Sequence, residues 1–293
     1  MLLTRAPRPI LRPFVKTLWA MDQPTSQLPA HAGFPRGDAG TLSVLADRER
    51  VLPTGTMHLA IRLSNHPLRL FDNVHDSTGR EIGYGIVGGA RSTYYVRDIS
   101  EPASSVGAQL LPGASEFLFG VPADKLAGRH TPLEGLWGRS AVESREQLLE
   151  SGSLEGRLDI LESLLVARLP RLHGLHPAVA HALERFTTTA DVRDVVRQTG
   201  YSHRRFIALF SRSVGLTPKL YCRVLRFQRA VELTAAKQSA SRVDVALVAG
   251  YSDQPHFNRQ FREFAGVTPG EYDELSPWSP NHVPIPRDSS RRK

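Results

Sequence analysis

DVVRQTGYSHRRFIALFSRSVGLTPKLY, running from Asp194 to Tyr221, has a counterpart further along the chain: DVALVAGYSDQPHFNRQFREFAGVTPGEY, from Asp244 to Tyr272. Asp194-Val195 aligns with Asp244-Val245, and Gly200-Tyr201-Ser202 with Gly250-Tyr251-Ser252, at an offset of 50. One extra residue enters near Pro255. Phe206, Phe210, Gly215, Thr217-Pro218 and Tyr221 then align with Phe257, Phe261, Gly266, Thr268-Pro269 and Tyr272 at an offset of 51. An internal repeat of this kind means one supersecondary unit used twice.

Each copy reads as helix, turn, helix. Gly200 and Gly250 can take the left-handed backbone that a tight turn after the first helix requires. Ser202 and Ser252 are expected to cap the second helix, which Gly215 and Gly266 end. Asp191 with Asp194, and Ser241 with Asp244, form looser versions of the capping box at the first helices. Thr217-Pro218 and Thr268-Pro269 are cap-plus-proline starts for the next helix. Phe206 and Phe210, four apart, share one face and are expected inside, as are Phe257, Phe261 and Phe264. The spacing predicts one long helix over Pro218–Thr234, with Leu220, Val224 and Val231 inward, holding the two units at a fixed separation.

With the rings inward, the outward faces follow. The first second-helix presents Arg204, Ile207, Ala208 and Ser211; the other presents Gln254, His256, Asn258, Arg259 and Arg262. A helix of this size fits the DNA major groove. There Arg reads guanine and Gln or Asn reads adenine through paired hydrogen bonds, and apolar groups touch thymine methyls. Arg205 and Arg212 are expected to grip phosphate.

Charge placement points to the same partner. The net charge is +8, yet residues 1–170 carry 18 Lys+Arg against 18 Asp+Glu; the excess lies in 171–275 (15 against 10) and 276–293 (4 against 1). A basic region beside a neutral one suits a polyanion such as double-stranded DNA. The single cysteine, Cys222, leaves no internal disulfide and no Cys-rich zinc site, which fits a cytoplasmic protein. Met1–Ile10 does not read as a signal peptide, and no apolar run approaches the roughly 20 residues of a membrane helix.

Residues 1–120 look mainly β, with short runs at Thr56–Leu63, Leu68–Phe71 and Val106–Leu111. Tyr84–Ala90 (YGIVGGA) reads as a turn-rich connection; its glycines do not have dinucleotide-loop spacing. Ser140–Glu150 and Leu154–Leu169 read as helices, the second with an apolar stripe at Leu154, Leu158, Leu161, Leu165 and Leu169. The expected fold class is α+β: a mainly β N-terminal domain with C-terminal helices over 1–170, a linker over 171–177, an all-α DNA-binding domain with two helix-turn-helix units over 178–275, and a disordered basic tail over 276–293.

The segment 176–275 resembles the DNA-binding domain of AraC/XylS-type regulators, most closely over Gly250–Tyr272. That resemblance implies seven helices, with Arg204, Ile207, Ala208, Gln254, His256 and Arg259 facing bases. Ile207-Ala208 departs from the polar residues usual there. Arg50–Leu63, Gly107–Val121 and Pro132–Gly138 resemble, less specifically, a sensor-like domain often fused ahead of such regions; Met57-His58 departs from its pattern.

The resulting expectation is a sequence-specific transcription regulator with DNA as partner. RNA polymerase, a small-molecule effector and a second copy of the chain are further partners the reading admits. No cofactor, metal site or catalytic residue is expected. His31, His58, His66 and His75 form no ligand pair, and Trp19 and Trp137 read as core. Two rival readings stand beside this one. An enzyme with a DNA-binding tail needs a nucleophilic cysteine in its own motif, whereas Cys222 stands alone within a helix. A nonspecific architectural protein would bind all sequences alike.

Overall fold

The computed structural model describes residues 1–22, 46–169, 174–236 and 241–286. The N-terminal part is built on two antiparallel sheets. One contains β1 (Leu2–Arg5), β2 (Val15–Asp22), β4 (Met57–Arg62), β7 (Gly85–Gly88), β9 (Ser104–Leu110) and β10 (His130–Pro132), in the order β1-β2-β9-β4-β7-β10. The other contains β3 (Arg48–Val51), β5 (Leu68–Phe71), β6 (Arg80–Gly83), β8 (Tyr95–Asp98) and β11 (His282–Ile285), in the order β11-β3-β8-β5-β6. Short helices α1 (Ala114–Phe119), α2 (Ala123–Leu126) and α3 (Glu134–Trp137) follow β9 and flank β10. Helix α4 (Arg139–Glu150) leads to α5 (Leu154–Val166), which lies on β2 and β9 with Leu154, Leu158, Leu161 and Leu165 buried, as their spacing predicts.

Two expectations for this part are corrected. Tyr84–Ala90 is not a turn-rich connection: Gly85–Gly88 form β7, buried throughout and paired on both sides, with β4 and β10. Its glycines mark places where other groups come close to the backbone, a known meaning of glycine within a strand. The tail is not disordered over 276–286, since His282–Ile285 pair with Arg48–Val51 as β11. A four-residue strand containing Pro284 lies at a sheet edge, where a missing N–H costs least. The rest of the expected tail, 287–293, lies outside the described residues, as does 171–173 of the expected linker.

The C-terminal helices are α6 (Pro177–Arg185), α7 (Val192–Thr199), α8 (His203–Val214), α9 (Pro218–Ala235), α10 (Arg242–Val248), α11 (Gln254–Ala265) and α12 (Pro269–Leu275). Among the described residues these are seven helices, α7–α8 and α10–α11 forming the two helix-turn-helix units, and with the β-rich N-terminal part they give the expected α+β class. Gly200, Gly215, Gly250 and Gly266 all have φ between +71° and +88°. Asp191, Ser202, Ser241, Thr217 and Thr268 cap their helices as read, with full capping boxes at Ser241–Asp244 and Thr268–Glu271.

The cap of α11 is corrected from Ser252 to Asp253, which accepts from the His256 backbone N–H at 2.7 Å. The extra residue near Pro255 moves the helix start by one. Ser252 instead hydrogen-bonds Asp253. His176 caps α6 and meets the Tyr201 hydroxyl at 3.2 Å.

The phenylalanines are inside: Phe206, Phe210, Phe257, Phe261 and Phe264 are each 0% exposed. The repeat recurs in the contacts. Phe210 meets Tyr221 with centroids 5.6 Å apart at 67°, and Phe261 meets Tyr272 at 5.6 Å and 78°. These are edge-to-face pairs, favoured by the ring quadrupole. Helix α9 touches α8, α10, α11 and α12, and its Phe227 inserts between Phe261 and Phe264 at 5.3 and 5.2 Å. Phe261→Ala is therefore expected to cost about 3–5 kcal/mol in urea unfolding. The exposed Arg259→Ala is expected to stay within about 0.5 kcal/mol. Similar losses for both would place the ring outside the core.

Candidate nucleic-acid interface and the cavity behind it

On α8, Arg204, Arg205, Ala208 and Arg212 are exposed, and Ile207 and Ser211 are half-buried. On α11, Arg259 and Arg262 are exposed, and Gln254, His256 and Asn258 are half-buried. All the residues read as outward thus keep surface. Several are pre-positioned. The Arg205 guanidinium lies 5.1 Å from the Tyr201 ring centroid. His256 hydrogen-bonds Ser252 Oγ at 3.1 Å and stands edge-on to Tyr251 at 5.4 Å. Arg262 lies 3.8 Å from Glu271. Arg212 pairs with Glu116 of α1 at 2.7 Å, so a carboxylate of the N-terminal part occupies the guanidinium read as a phosphate contact. Both partners are about half exposed, so this pair contributes little to stability.

Sequence reasoning missed two residues on α9. Arg223 pairs with Glu263 of α11 at 2.6 Å, and Arg226 donates to the Gly250 carbonyl at 3.4 Å. Both tie the second unit to the connecting helix. Cys222 is buried beside them, and burial pushes its thiol up to about 11. It is an inert structural residue.

The N-terminal part grips both outward helices at repeat-equivalent places. Gly113 N–H donates to the Ser213 carbonyl in the last turn of α8 at 2.9 Å, and Tyr94 N–H donates to the Phe264 carbonyl in the last turn of α11 at 3.1 Å. Ser213 and Phe264 are related by the repeat offset of 51. Terminal carbonyls lack partners within their own helix, so each bond fills a vacancy the helix leaves. The glycines that follow are also contacted. A Cβ on Gly215 would meet Ala90 and the Ala123 carbonyl, and one on Gly266 would meet the Tyr94 ring.

The tail adds a third tie. Gln228 of α9 donates to the Pro53 carbonyl and to Asn281 Oδ1, both at 2.8 Å. Beyond Asn281, β11 brings His282 to the buried Glu49 (2.8 Å), and Trp278 Nε1 donates to the same carboxylate at 3.1 Å. Burial would push this carboxyl up. The Arg97 and His282 charges, with hydrogen bonds from His282 and Trp278, outweigh burial and hold it far below the usual carboxylate range.

Between the sheets lies a cavity of about 290 Å³. Trp19, Met21, Leu52 and Ile86 supply apolar wall; His58, Arg62, Arg91, Tyr95 and Arg97 supply polar wall; Ser279, Asn281 and His282 of the tail close one side. Trp19, read as core, lines this space. His58 and His130 both lie opposite Gly88 in the register, one from each neighbouring strand. A Cβ on Gly88 would fall 2.1 Å from the His58 ring, so glycine there lets the imidazole lie across the strand. The two rings are 5.9 Å apart, and Tyr95 stands 4.3 Å from His130. His31 lies outside the described residues. Among the described residues no cluster of three His, Cys, Asp or Glu could hold a metal.

Paired, cap-started helices with buried aromatic faces and cationic outer faces define the helix-turn-helix DNA-binding class. Residues 195–274 match the family described as helix-turn-helix domain, and residues 3–132 match a domain of unknown function (DUF6597). The HTH-type transcriptional regulator GbdR of Pseudomonas aeruginosa is 28% identical over 130 residues, 44% of this chain and 34% of that protein. The transposon Tn10 TetD protein of Escherichia coli is 33% identical over 86 residues, 29% of this chain and 61% of its own length. An AraC-type DNA-binding domain structure from Chromobacterium violaceum is 30% identical over 32% of this chain and 88% of its own, with a TM-score of 0.29. ToxT from Vibrio cholerae is 10% identical over 78% of this chain and 93% of its own, with a TM-score of 0.43. The chain spans about a third of the length of the first curated relatives it matches. Residues 195–274 are thus a helix-turn-helix domain similar to those of these transcriptional regulators.

Burial and the nearby Arg91 charge push His58 down to about 3 and His130 to about 2. Both stay neutral in the folded chain, while unfolded histidine takes up a proton near pH 6.5. Below that pH the unfolded state binds more protons, so stability falls as pH drops from about 7 to 5. Glu49, also depressed, adds its own loss only below its unfolded value of 4.5. In urea unfolding across pH 5–7, a His58→Gln/His130→Gln double variant is expected to flatten this slope. An unchanged slope would contradict the neutral pair.

Proposed function

We propose that this chain is a sequence-specific DNA-binding transcription regulator that inserts α8 and α11 into adjacent major-groove segments. The observation that carries this reading is the pair of repeat-related helices, each anchored by fully buried phenylalanines and each turning arginines outward. Arg204, Ile207 and Ala208 on α8, and Gln254, His256 and Arg259 on α11, face the bases. Arg205 and Arg212 hold phosphate, with Ser211, Asn258 and Arg262 at the margins. Basic residues hold the protein on DNA by releasing counterions, and the paired helices choose the site. The half-buried Ile207 and the small Ala208 suit thymine methyls, which leaves most hydrogen-bonded readout to α11.

Residues 1–170 act as the sensor and dimerisation part, 171–177 as the link and 178–275 as the DNA-binding part. The inter-sheet cavity is where a small-molecule effector enters. RNA polymerase and a second copy of the chain are its protein partners, it works in the cytoplasm on nucleoid DNA, and it has no catalytic role. Among the described residues no helix is long and apolar enough to cross a membrane.

The test begins by selecting a binding site from random duplexes with the full chain. Arg259→Ala is then measured against that site and against random DNA by fluorescence anisotropy. We expect a loss of about 1–3 kcal/mol on the selected site, with relaxed preference at one or two base pairs. Equal losses on both DNAs would refute base reading by Arg259.

A further inference from the structure

We propose that the inter-sheet cavity binds a small organic carboxylate at Arg91, and that the segment Ala90–Tyr95 carries its occupancy to the ends of both recognition helices. This rests on the reading of the N-terminal part as the effector-binding part.

The charge inside the cavity is unbalanced. Arg97 is matched by Glu49, but among the described residues Arg91 has no carboxylate partner. Its Nη2 meets His130 Nδ1 at 3.1 Å, its guanidinium lies 4.5 Å from the Tyr95 ring centroid, and its Nε is buried with no partner. Arg62 lines the same space and donates to the Pro67 carbonyl at 2.9 Å, likewise without an ion pair among the described residues. A half-buried guanidinium facing neutral imidazoles and an aromatic ring is costly unless an anion or water completes it. Arginine matches a carboxylate with two parallel hydrogen bonds. The apolar wall and a volume of about 290 Å³ suit a compact aromatic or short aliphatic body on that carboxylate.

The path to the DNA-binding helices is short. Arg91 in the β7–β8 connection and Tyr95 at the start of β8 line the cavity. Their chain neighbours face the other way. Ala90 lies against Gly215 at the end of α8, and Tyr94 lies against Gly266 and donates to Phe264 at the end of α11. Within this six-residue segment, Arg91 and Tyr95 therefore touch the ligand space while Ala90 and Tyr94 touch the two recognition helices. A ligand that reseats Arg91 or Tyr95 displaces the anchors of both helices together. Differential contact of this kind is what lets a ligand shift an equilibrium between two states.

The experiment uses the full chain, with benzoate, phenylacetate and hexanoate as probes, the matching primary amides, and inorganic phosphate. Acids are expected to raise the melting temperature saturably, while amides and phosphate do not. Arg91→Gln is expected to abolish the rise and Arg91→Lys to retain part of it, with circular dichroism and the ligand-free melting temperature verifying each fold. Amides matching the acids, a rise through phosphate alone, persistence in Arg91→Gln, or no response to any acid would overturn the assignment.

Coupling is read as operator affinity with and without the active acid. The acid is expected to change it several-fold in the native chain. Tyr94→Ala is expected to keep the thermal rise and lose the change in affinity; a full response in that variant would overturn the route. A thermal rise through Arg91 with no effect on native operator affinity removes the coupling and the effector reading, yet leaves the anion site standing. Failure to select any operator removes the DNA reading alone.

Discussion

Phe210 against Tyr221, and Phe261 against Tyr272, are one edge-to-face contact made twice, and the DNA-binding part is organised around it. Each ring pair joins a recognition helix to the helix that follows it across a glycine turn. Burying two to three phenylalanines per unit fixes the rotation of α8 and α11 about their own axes, and this rotation alone decides which side chains face outward. A rotation of one residue would bury Arg259 and expose Phe257. The cost of desolvating an unpaired guanidinium makes that alternative inaccessible. The outward arginines are thus a consequence of where the rings went.

The two parts of the chain are joined by more than a linker. The chain leaves the DNA-binding helices and returns to the N-terminal sheet as β11, where its Trp278 and His282 meet the buried Glu49. Together with the backbone bonds at Ser213 and Phe264, this makes the N-terminal part a scaffold for the spacing of the recognition helices. The α9 helix supplies the same constraint from the other side through Phe227, Arg223 and Arg226.

The DNA-binding half was legible because its signals are local and appear twice. Caps, turn glycines and phenylalanines four apart each act within a few residues, and the repeat tests every assignment against a second copy. The single insertion near Pro255 is where this reasoning slipped, moving the α11 cap from Ser252 to Asp253. What stayed hidden depends on partners distant in sequence. His58 and His130 meet only because β4 and β10 flank the same glycine of β7. The run GIVG carries no side-chain pattern of a strand, since its glycines answer to groups that lie across it. HVPI becomes a strand only where the edge of β3 offers itself, and no composition rule distinguishes that from a polar, proline-rich end. Arg91 sits in an unremarkable loop until both sheets close over it.

A hydroxyl-radical footprint of the full chain on its selected DNA site tests the central claim most directly, since that claim concerns two groove-sized helices held side by side. The account predicts two protected segments on one face of the duplex, centred about one helical turn apart, roughly 34–36 Å. A single protected segment, or even protection along the whole duplex, would contradict it.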